Sequence, residues 1–369
     1  MIKFLDLKKI NEPHEVAFTE KFKQLLNSGW YILGSEVEIF EKNYAKFCNS
    51  NHCIGVGNGL DALILIFKAH LALGNLQKND EVIVPANTYI ASVLAILEVG
   101  LVPVFTEPNI DTFNIDVFKI QDKVTPKTKA ILVVNLYGQL AQQDEINKIA
   151  IKNNLFIVED AAQSHGAVGN FMNTENHEIL RWSAAAYSFY PSKNLGALGD
   201  AGAVTTNNFI LAKTISMLRN YGSEQKYYNE IIGVNSRLDE IQASFLNVKL
   251  PFLAAENNRR REIASRYLSE IKNKKLKLPY WDKSENHVFH LFVILVDDRN
   301  VFMNFMTENQ IETNIHYPVA PHKQNALKNF NNLHFPITEK IHAHCVSLPL
   351  NPILTNDQVS KIINAINSY

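Results

Sequence analysis

A chain of 369 residues that is 46% hydrophobic holds more than one core usually contains, so one large domain and one smaller one are expected. A net charge of -1 with 20% charged residues excludes a general attraction to polyanions, which argues against nucleic acid or an anionic membrane as the main partner and for a small-molecule ligand. The three cysteines, Cys48, Cys53 and Cys345, suggest no disulfide framework and read as packing residues in a reducing cytoplasm.

The opening M-I-K-F-L-D-L-K-K-I mixes charge among its apolar residues and lacks the apolar centre and cleavage site of a signal peptide. The longest apolar run, Leu60 to Leu73, is interrupted by Lys68 and His70 and is too short for a bilayer. The chain therefore reads as soluble. From Cys53 to about Val204, apolar runs alternate with helical patterns, which predicts an α/β fold with a largely parallel sheet covered by helices. Strands are expected at C-I-G-V-G, E-V-I-V-P-A, L-V-P-V-F, A-I-L-V-V-N-L, L-F-I-V-E-D, A-A-A-Y-S-F-Y and A-G-A-V-T-T. After Leu238 a charged helical texture begins, broken by Pro251, and the division is placed at residues 1–245 and 246–369. Beyond it come a strand, H-V-F-H-L-F-V-I-L-V, and a last helix opened by a capping box from Thr355 to Gln358.

In G-V-G-N-G-L-D-A, the residues Gly57, Gly59 and Ala62 have the G-x-G-x-x-A spacing of a dinucleotide fingerprint. The ribose-binding acid should follow the second strand, yet Asp80 and Glu81 precede E-V-I-V-P-A and Asn87 follows it, which speaks against a dinucleotide. What survives is a glycine turn that lets a ligand approach the backbone, with free N–H groups at a helix start suited to phosphate; a plain tight turn is the bland counterpart. The strand in F-I-V-E-D-A-A-Q-S-H-G-A ends in Glu159 and Asp160, with Gln163 as a neutral donor and acceptor three residues on. Ligands of open α/β sheets lie beyond the carboxyl ends of strands, so an acid there meets something cationic or protonated, unless it is only a cap or a structural ion pair.

In S-F-Y-P-S-K-N-L-G-A-L-G-D-A-G-A-V, Lys193 emerges just past a strand end on the same rim as Asp160. Apolar neighbours desolvate it, and burial brings a lysine from ~10.4 toward ~7 to 8; an ordinary surface lysine is the alternative. Together the cradle at Gly59, the strand-end acid and the desolvated lysine are the parts that hold pyridoxal phosphate: lysine forms a Schiff base with the aldehyde and the acid partners the pyridinium nitrogen.

These segments, with P-A-N-T-Y-I-A, W-Y-I-L-G-S-E-V near the start and V-S-L-P-L-N-P-I-L-T near the finish, closely resemble the sugar aminotransferases of the DegT/DnrJ/EryC1/StrS family. The resemblance implies the PLP-dependent transferase fold type I (aspartate aminotransferase-like), a large mostly parallel sheet domain with an N-terminal arm plus a smaller C-terminal α+β domain. It implies that Lys193 is the Schiff-base lysine, that Asp160 holds the pyridinium nitrogen, that Gln163 lies near the phenolic oxygen and that Tyr89 stacks on the ring. The phosphate would be held by backbone N–H groups at Gly59 and Leu60, by the Ser188 hydroxyl and by the partner subunit's Asn235, which implies a homodimer with shared sites. Two departures stand out: many relatives have Thr at the place of Leu60, and F-M-N-T-E-N-H-E-I-L-R-W lacks glycines common in relatives.

The stretch L-R-N-Y-G-S-E-Q-K-Y-Y-N-E-I-I-G-V-N-S-R-L-D-E-I-Q-A, with I-H-Y-P-V-A-P-H, resembles the subgroup that aminates C3 of dTDP-3-oxo-6-deoxyhexoses for surface glycans such as the O-antigen of lipopolysaccharide. Glutamate is the implied donor in a ping-pong reaction. Tyr190, Tyr227, His316 and Tyr317 are then sugar-side contacts and Lys226 a point charge for the diphosphate, against ordinary loop or core roles. The rivals are a C4 aminotransferase of a UDP or GDP 4-keto sugar and a non-catalytic regulator that binds pyridoxal phosphate or a sugar nucleotide. Dehydrating relatives replace the lysine with histidine, and Lys193 is present. His316, His322, His334, His342 and His344 match no recognised zinc spacing, so no metal is expected.

Overall fold

The computed structural model describes residues 1–169 and 182–369; the F-M-N-T-E-N-H-E-I-L-R part of the glycine-poor segment lies outside them. Each of the seven apolar runs forms a strand: β1 (His52–Val56), β2 (Glu81–Pro85), β3 (Val102–Thr106), β4 (Thr128–Val134), β5 (Phe156–Asp160), β6 (Trp182–Ser188) and β7 (Gly202–Thr206). Among the described residues they make one sheet in the order β1-β7-β6-β5-β4-β2-β3. Strands β2 to β6 pair in parallel, while β7 lies antiparallel between β6 and β1, so β1 points the same way as β6. The carboxyl ends of β1, β2, β4, β5 and β6 therefore share one rim. Because β1 pairs with β7 and not with β2, the glycine turn after it is not part of a dinucleotide-type unit of adjacent parallel strands.

Both faces of the sheet are buried, which is why its strands read as continuous apolar runs. Val82, Val84, Ala130 and Leu132 pack with residues of the helices Gly59–Ala72, Ile90–Glu98 and Phe209–Leu218, whereas Ile83, Ile131 and Val133 pack with the helix Gln143–Lys152 on the other side. A slip of one residue would exchange the two sets, and with each buried aliphatic side chain contributing roughly 1.5–3 kcal/mol the register is strongly specified.

Short strands β8 (Ser223–Gln225) and β9 (Tyr228–Asn229) form a hairpin, and a second, antiparallel sheet has the order β10 (Leu276–Lys277), β11 (Phe292–Val296), β12 (Cys345–Leu348). A separate core gathers Phe292, Ile294 and Val346 of that sheet with Ile263 and Tyr267 of the helix Leu253–Glu270 and Ile362 and Ile366 of the closing helix Asn356–Ser368. That last helix opens with the expected box: the Thr355 hydroxyl accepts from Gln358 N–H, and Gln358 Oε1 accepts from Thr355 N–H. Pro251 sits in a short 3-10 turn, Leu250–Phe252, that separates the helix Glu240–Lys249 from the next one. The strand expected from His287 begins only at Phe292, because the N–H groups of Val288 and Leu291 are taken by the carbonyls of Gly138 and Tyr137, beyond the end of β4. Among the described residues no helix is long and apolar enough to cross a membrane.

Glu107, just past β3, ties the two regions together. Its carboxylate accepts from Ile337 N–H (2.8 Å), Thr338 N–H (2.9 Å) and the Thr338 hydroxyl (2.7 Å) at the start of the helix Pro336–His344. An anion there also meets the positive end of the helix. The same helix carries His342, whose Nδ1–H donates to the Tyr317 carbonyl at 2.8 Å. Glu107→Ala is expected to lower stability by about 2–3 kcal/mol, read as a lower urea midpoint, because three charge-assisted bonds are lost at once; an unchanged midpoint would show that the helix docks without them.

Candidate active site

The turn after β1 leads straight into the helix Gly59–Ala72. Asn58 caps it, its Oδ1 accepting from Asp61 N–H at 2.8 Å and its carbonyl from Ala62 N–H at 3.1 Å. The N–H groups of Gly59 and Leu60 are thereby left without an acceptor among the described residues, as the first turn of a helix requires. Position 59 must be glycine for another reason: a Cβ there would lie 2.6 Å from Ser188 Cβ at the end of β6. Close approach of those two backbones sets two free donors beside the Ser188 hydroxyl, which suits an anion such as phosphate. Leu60 supplies its backbone only. Ser188 is itself held from behind, since its carbonyl accepts from His165 Nε2–H at 2.9 Å and His165 Nδ1 consequently accepts from the Tyr44 hydroxyl at 2.7 Å.

The two acids at the end of β5 part company through the pleat of the strand. Asp160, 8% exposed, accepts from the Ser92 hydroxyl (2.7 Å) on one oxygen and from Ala162 N–H (3.2 Å) on the other. Burial raises its pKa, and the bonds from Ser92 and Ala162 and the charge of Lys193 oppose that rise. Such a carboxylate favours a cationic or protonated partner. Glu159 faces the opposite side, where it lines a cavity with Cys48 and Tyr187 and burial pushes it up to about 7. Ser92 is in turn bonded to the Thr88 hydroxyl at 2.8 Å. Neither was foreseen: Ser92 stands in the first turn of the helix Ile90–Glu98 and Thr88 just before it, so helical periodicity does not pair them.

Lys193 follows β6 in a turn closed by its own N–H on the Tyr190 carbonyl (2.8 Å). Burial lowers its pKa to about 8, against the pull of Asp160's charge in the other direction. Its neighbours are pinned: the Asn194 amide donates to Asn257 Oδ1 (2.9 Å), and buried Lys249 donates to the Gly196 carbonyl (2.7 Å).

The remaining wall comes from the loops after β2, β4, β5 and β6 and from the segment at residues 316–317. Gln163 Oε1 accepts from Tyr137 N–H at 2.6 Å, which fixes the amide so that Nε2 donates to the Tyr317 hydroxyl at 3.1 Å. Tyr89, just after β2 and 52% exposed, sets its ring 5.0 Å from that of Tyr317. His316 bonds through Nδ1 to the Ser347 hydroxyl (2.9 Å) and stacks on Phe4. Tyr190 is 55% exposed at the edge. Lys193, Asp160, Gln163, Tyr89, Ser188, Gly59, Leu60, His316 and Tyr317 thus gather along the rim and the segment facing it. Among the described residues Lys226, Tyr227 and Asn235 have no hydrogen bond to that group within one chain, although Ser236, next to Asn235, accepts from Gly57 N–H at 3.0 Å. Lys226 and Tyr227 form the exposed turn of the β8–β9 hairpin, with the Lys226 ammonium 5.1 Å from the Tyr227 ring centre, and Asn235 is exposed beside Asn220, to which its backbone is bridged.

The donors and charges of this rim fit a phosphate-bearing cofactor with a protonated ring nitrogen and a carbonyl for an amine. Residues 14–367 match the DegT/DnrJ/EryC1/StrS aminotransferase family. The chain is 50% identical over 369 residues to a dTDP-3-amino-3,6-dideoxy-alpha-D-galactopyranose transaminase of Aneurinibacillus thermoaerophilus, covering 100% of this chain and 99% of that one. Among solved structures, DesV of S. venezuelae is similar with a TM-score of 0.92 at 38% identity, covering 100% of this chain and 98% of that chain. Ntda of Bacillus subtilis, with bound cofactor PMP, is similar with a TM-score of 0.90 at 31% identity, covering 98% of this chain and 83% of that chain.

Burial also governs the histidines around the site and behind it. His70 and His342 are lowered to about 4, and His165 and His287 to about 3, in each case chiefly by desolvation. An unfolded chain protonates these groups at ~6.5 while the fold keeps them neutral, so the stability they contribute is present above that pH and is lost as pH falls toward 4, each histidine by ~1.4 kcal/mol per unit. Urea midpoints are expected to be flat from pH 8 to 7 and to fall steeply below 6; equal midpoints at pH 7 and pH 5 would show that these rings carry charge in the folded protein.

Proposed function

The chain belongs to the DegT/DnrJ/EryC1/StrS aminotransferase family, and we propose that it transfers the amino group of glutamate to C3 of a dTDP-3-oxo-6-deoxyhexose, giving a dTDP-3-amino-3,6-dideoxyhexose. The observation that carries this reading is a lysine of lowered pKa on the same rim as a buried strand-end carboxylate, in a chain half identical along its whole length to a transaminase of that product class. We assign the enzyme to the cytoplasm and its product to surface glycans such as the O-antigen of lipopolysaccharide.

Pyridoxal phosphate, when bound, supplies an aldehyde that takes up the amino group and a protonated ring that accepts the electron pair released when a Cα–H bond breaks. In this reading Gly59 and Leu60 N–H and the Ser188 hydroxyl hold its phosphate, Asp160 its ring nitrogen, Tyr89 its face and Gln163 its phenolic oxygen. Lys193 does the proton work. With a pKa of about 8 its amine is partly neutral at physiological pH, so it would accept the α-proton of glutamate and give a proton to the carbon that the cofactor's aldehyde supplies, with the reverse transfer serving the keto sugar. Asp160 keeps the ring nitrogen protonated, and the two bonds it already accepts hold its carboxylate plane in place for that task.

We propose further that the enzyme is a homodimer with shared sites. Trp30, Tyr31, Ile32 and Leu198 are 63%, 51%, 40% and 44% exposed. They gather around the start of the helix Glu240–Lys249, where Ile32 is bridged to Asp239 and Leu198 N–H bonds to Gln242. A second copy seated there would cover this apolar patch and let Asn235, Lys226 and Tyr227 complete the neighbouring site, with Lys226 as a charge for the diphosphate.

Incubation of the holoenzyme with glutamate and a panel of nucleotide keto sugars is expected to release 2-oxoglutarate and aminate the dTDP 3-keto sugar at C3, by mass and NMR. Amination of UDP or GDP 4-keto sugars at C4 would overturn the regiochemistry, and bound cofactor whose absorbance ignores glutamate would favour a regulator. Asp160→Asn is expected to retain much of the cofactor while losing ~100- to 10,000-fold in kcat; full activity would remove the role given to Asp160.

A further inference from the structure

Tyr137 stands in the loop after β4 with its backbone at φ 60°, a conformation uncommon for a residue with a side chain. Its phenol ring is 3% exposed and packs with Phe113, Leu291 and Val293 between the rim of the large sheet and the small one. One residue thereby reaches three other segments. Its N–H donates to Gln163 Oε1 (2.6 Å), its carbonyl accepts from Leu291 N–H (3.2 Å), and its hydroxyl donates to the His316 carbonyl (2.5 Å). The turn is completed by Gly138 at φ 97°, where a Cβ would lie 2.9 Å from both the Gln163 carbonyl and His290 N.

The polarity of the chain of bonds follows from its first donor. A backbone N–H can only donate, so the Gln163 amide is oriented with its NH2 group toward Tyr317. The Tyr317 hydroxyl therefore accepts, and its own proton is left to donate elsewhere. Burial raises the Tyr317 pKa, which keeps that proton on the oxygen. Backbone strain that the surroundings hold in place is characteristic of functional positions, and here the strained residue touches both the cofactor-side Gln163 and the segment that closes over it.

We propose that Tyr137 is a positioning residue for the acceptor side of the reaction: its hydroxyl holds the His316–Tyr317 segment at the distance a keto sugar requires, while its N–H makes Tyr317 a hydrogen-bond donor toward the bound ligand. The proposal rests on the aminotransferase reading above and on the sugar-side role that the family resemblance gives His316 and Tyr317. It separates the two halves of the reaction. Glutamate needs the cofactor and Lys193, whereas the larger sugar also needs the segment that the Tyr137 hydroxyl holds.

The test is Tyr137→Phe as the holoenzyme, which removes the bond to His316 and keeps both the ring and the N–H to Gln163. The KM for the keto-sugar nucleotide is expected to rise about tenfold, the effect of one buried hydrogen bond, with kcat, the glutamate half-reaction and the absorbance of bound cofactor all within twofold of wild type. Phe113→Leu, which disturbs packing on the same ring without touching a hydrogen bond, should lower Tm and leave that KM alone. A variant carrying 4-aminophenylalanine at position 137 keeps both volume and a donor, so it should retain the wild-type KM, and it stands as the deciding measurement if the Phe variant does not fold. An unchanged sugar KM in Tyr137→Phe, an equal loss in both half-reactions, or a raised KM with the amino analogue each overturns the proposal. Failure of the wild-type enzyme to aminate any keto sugar would instead remove the reading beneath it.

Discussion

The common direction of β1, β2, β4, β5 and β6 is the constraint on which the rest of the molecule depends. A parallel strand leaves its carboxyl end free to carry a loop, because the chain must cross back through a helix before it can pair again. Five such ends on one rim place Gly59, Tyr89, Tyr137, Asp160 and Lys193 near one another, although they are spread over more than a hundred residues of sequence. The reversed strand β7 serves the same end differently. It lets β1 join the sheet beyond β6, and so puts the start of the helix Gly59–Ala72 beside Ser188, where the missing Cβ of Gly59 makes the contact possible.

On that rim, desolvation is the dominant electrostatic effect, and it acts on two groups in opposite senses. It lowers Lys193 and raises Asp160, each toward its neutral form, while the charge of each resists the shift in the other. The outcome differs because the local bonds differ. Asp160 has a hydroxyl and an amide N–H to stabilise its anion, whereas among the described residues no hydrogen bond to the Lys193 ammonium accompanies its fall to about 8. An acid equipped to stay charged and an amine that is readily neutralised are what a reaction needs when one group must hold a cation steadily and the other must exchange a proton.

Much of this was legible in the chain because buried parallel strands announce themselves. Seven apolar runs gave seven strands, and the glycine turn, the strand-end acids and the lysine loop all fell at strand ends. What could not be read was side-chain direction and long-range contact. The pairing of Glu159 with Asp160 in sequence says nothing about which faces the site until the pleat separates them. Thr88 and Ser92 look like ordinary small polar residues until the helix Ile90–Glu98 brings Ser92 to Asp160 with the Thr88 hydroxyl bonded to it, and Tyr137 looks like one more aromatic in V-N-L-Y-G-Q. The strand expected from His287 failed for a related reason: its first residues had better acceptors in the loop after β4 than in their own sheet. Alternating patterns report burial, not the partner that a backbone N–H will choose.

That choice of partner has a functional consequence. The segment that faces the rim, His316 and Tyr317, is held in part through its main chain: the His316 carbonyl by Tyr137, the Tyr317 carbonyl by His342, and the helix bearing His342 by the Glu107 carboxylate on its opening N–H groups. Bonds to main-chain atoms fix position without constraining side-chain identity. The imidazole and phenol are bonded in addition, His316 Nδ1 to the Ser347 hydroxyl and the Tyr317 hydroxyl to Gln163, so the distance of the segment from the rim and the direction of its side chains are set by different bonds. The backbone of Tyr137 enters both, because moving its N–H would turn the Gln163 amide and reverse the direction in which the Tyr317 hydroxyl is bonded.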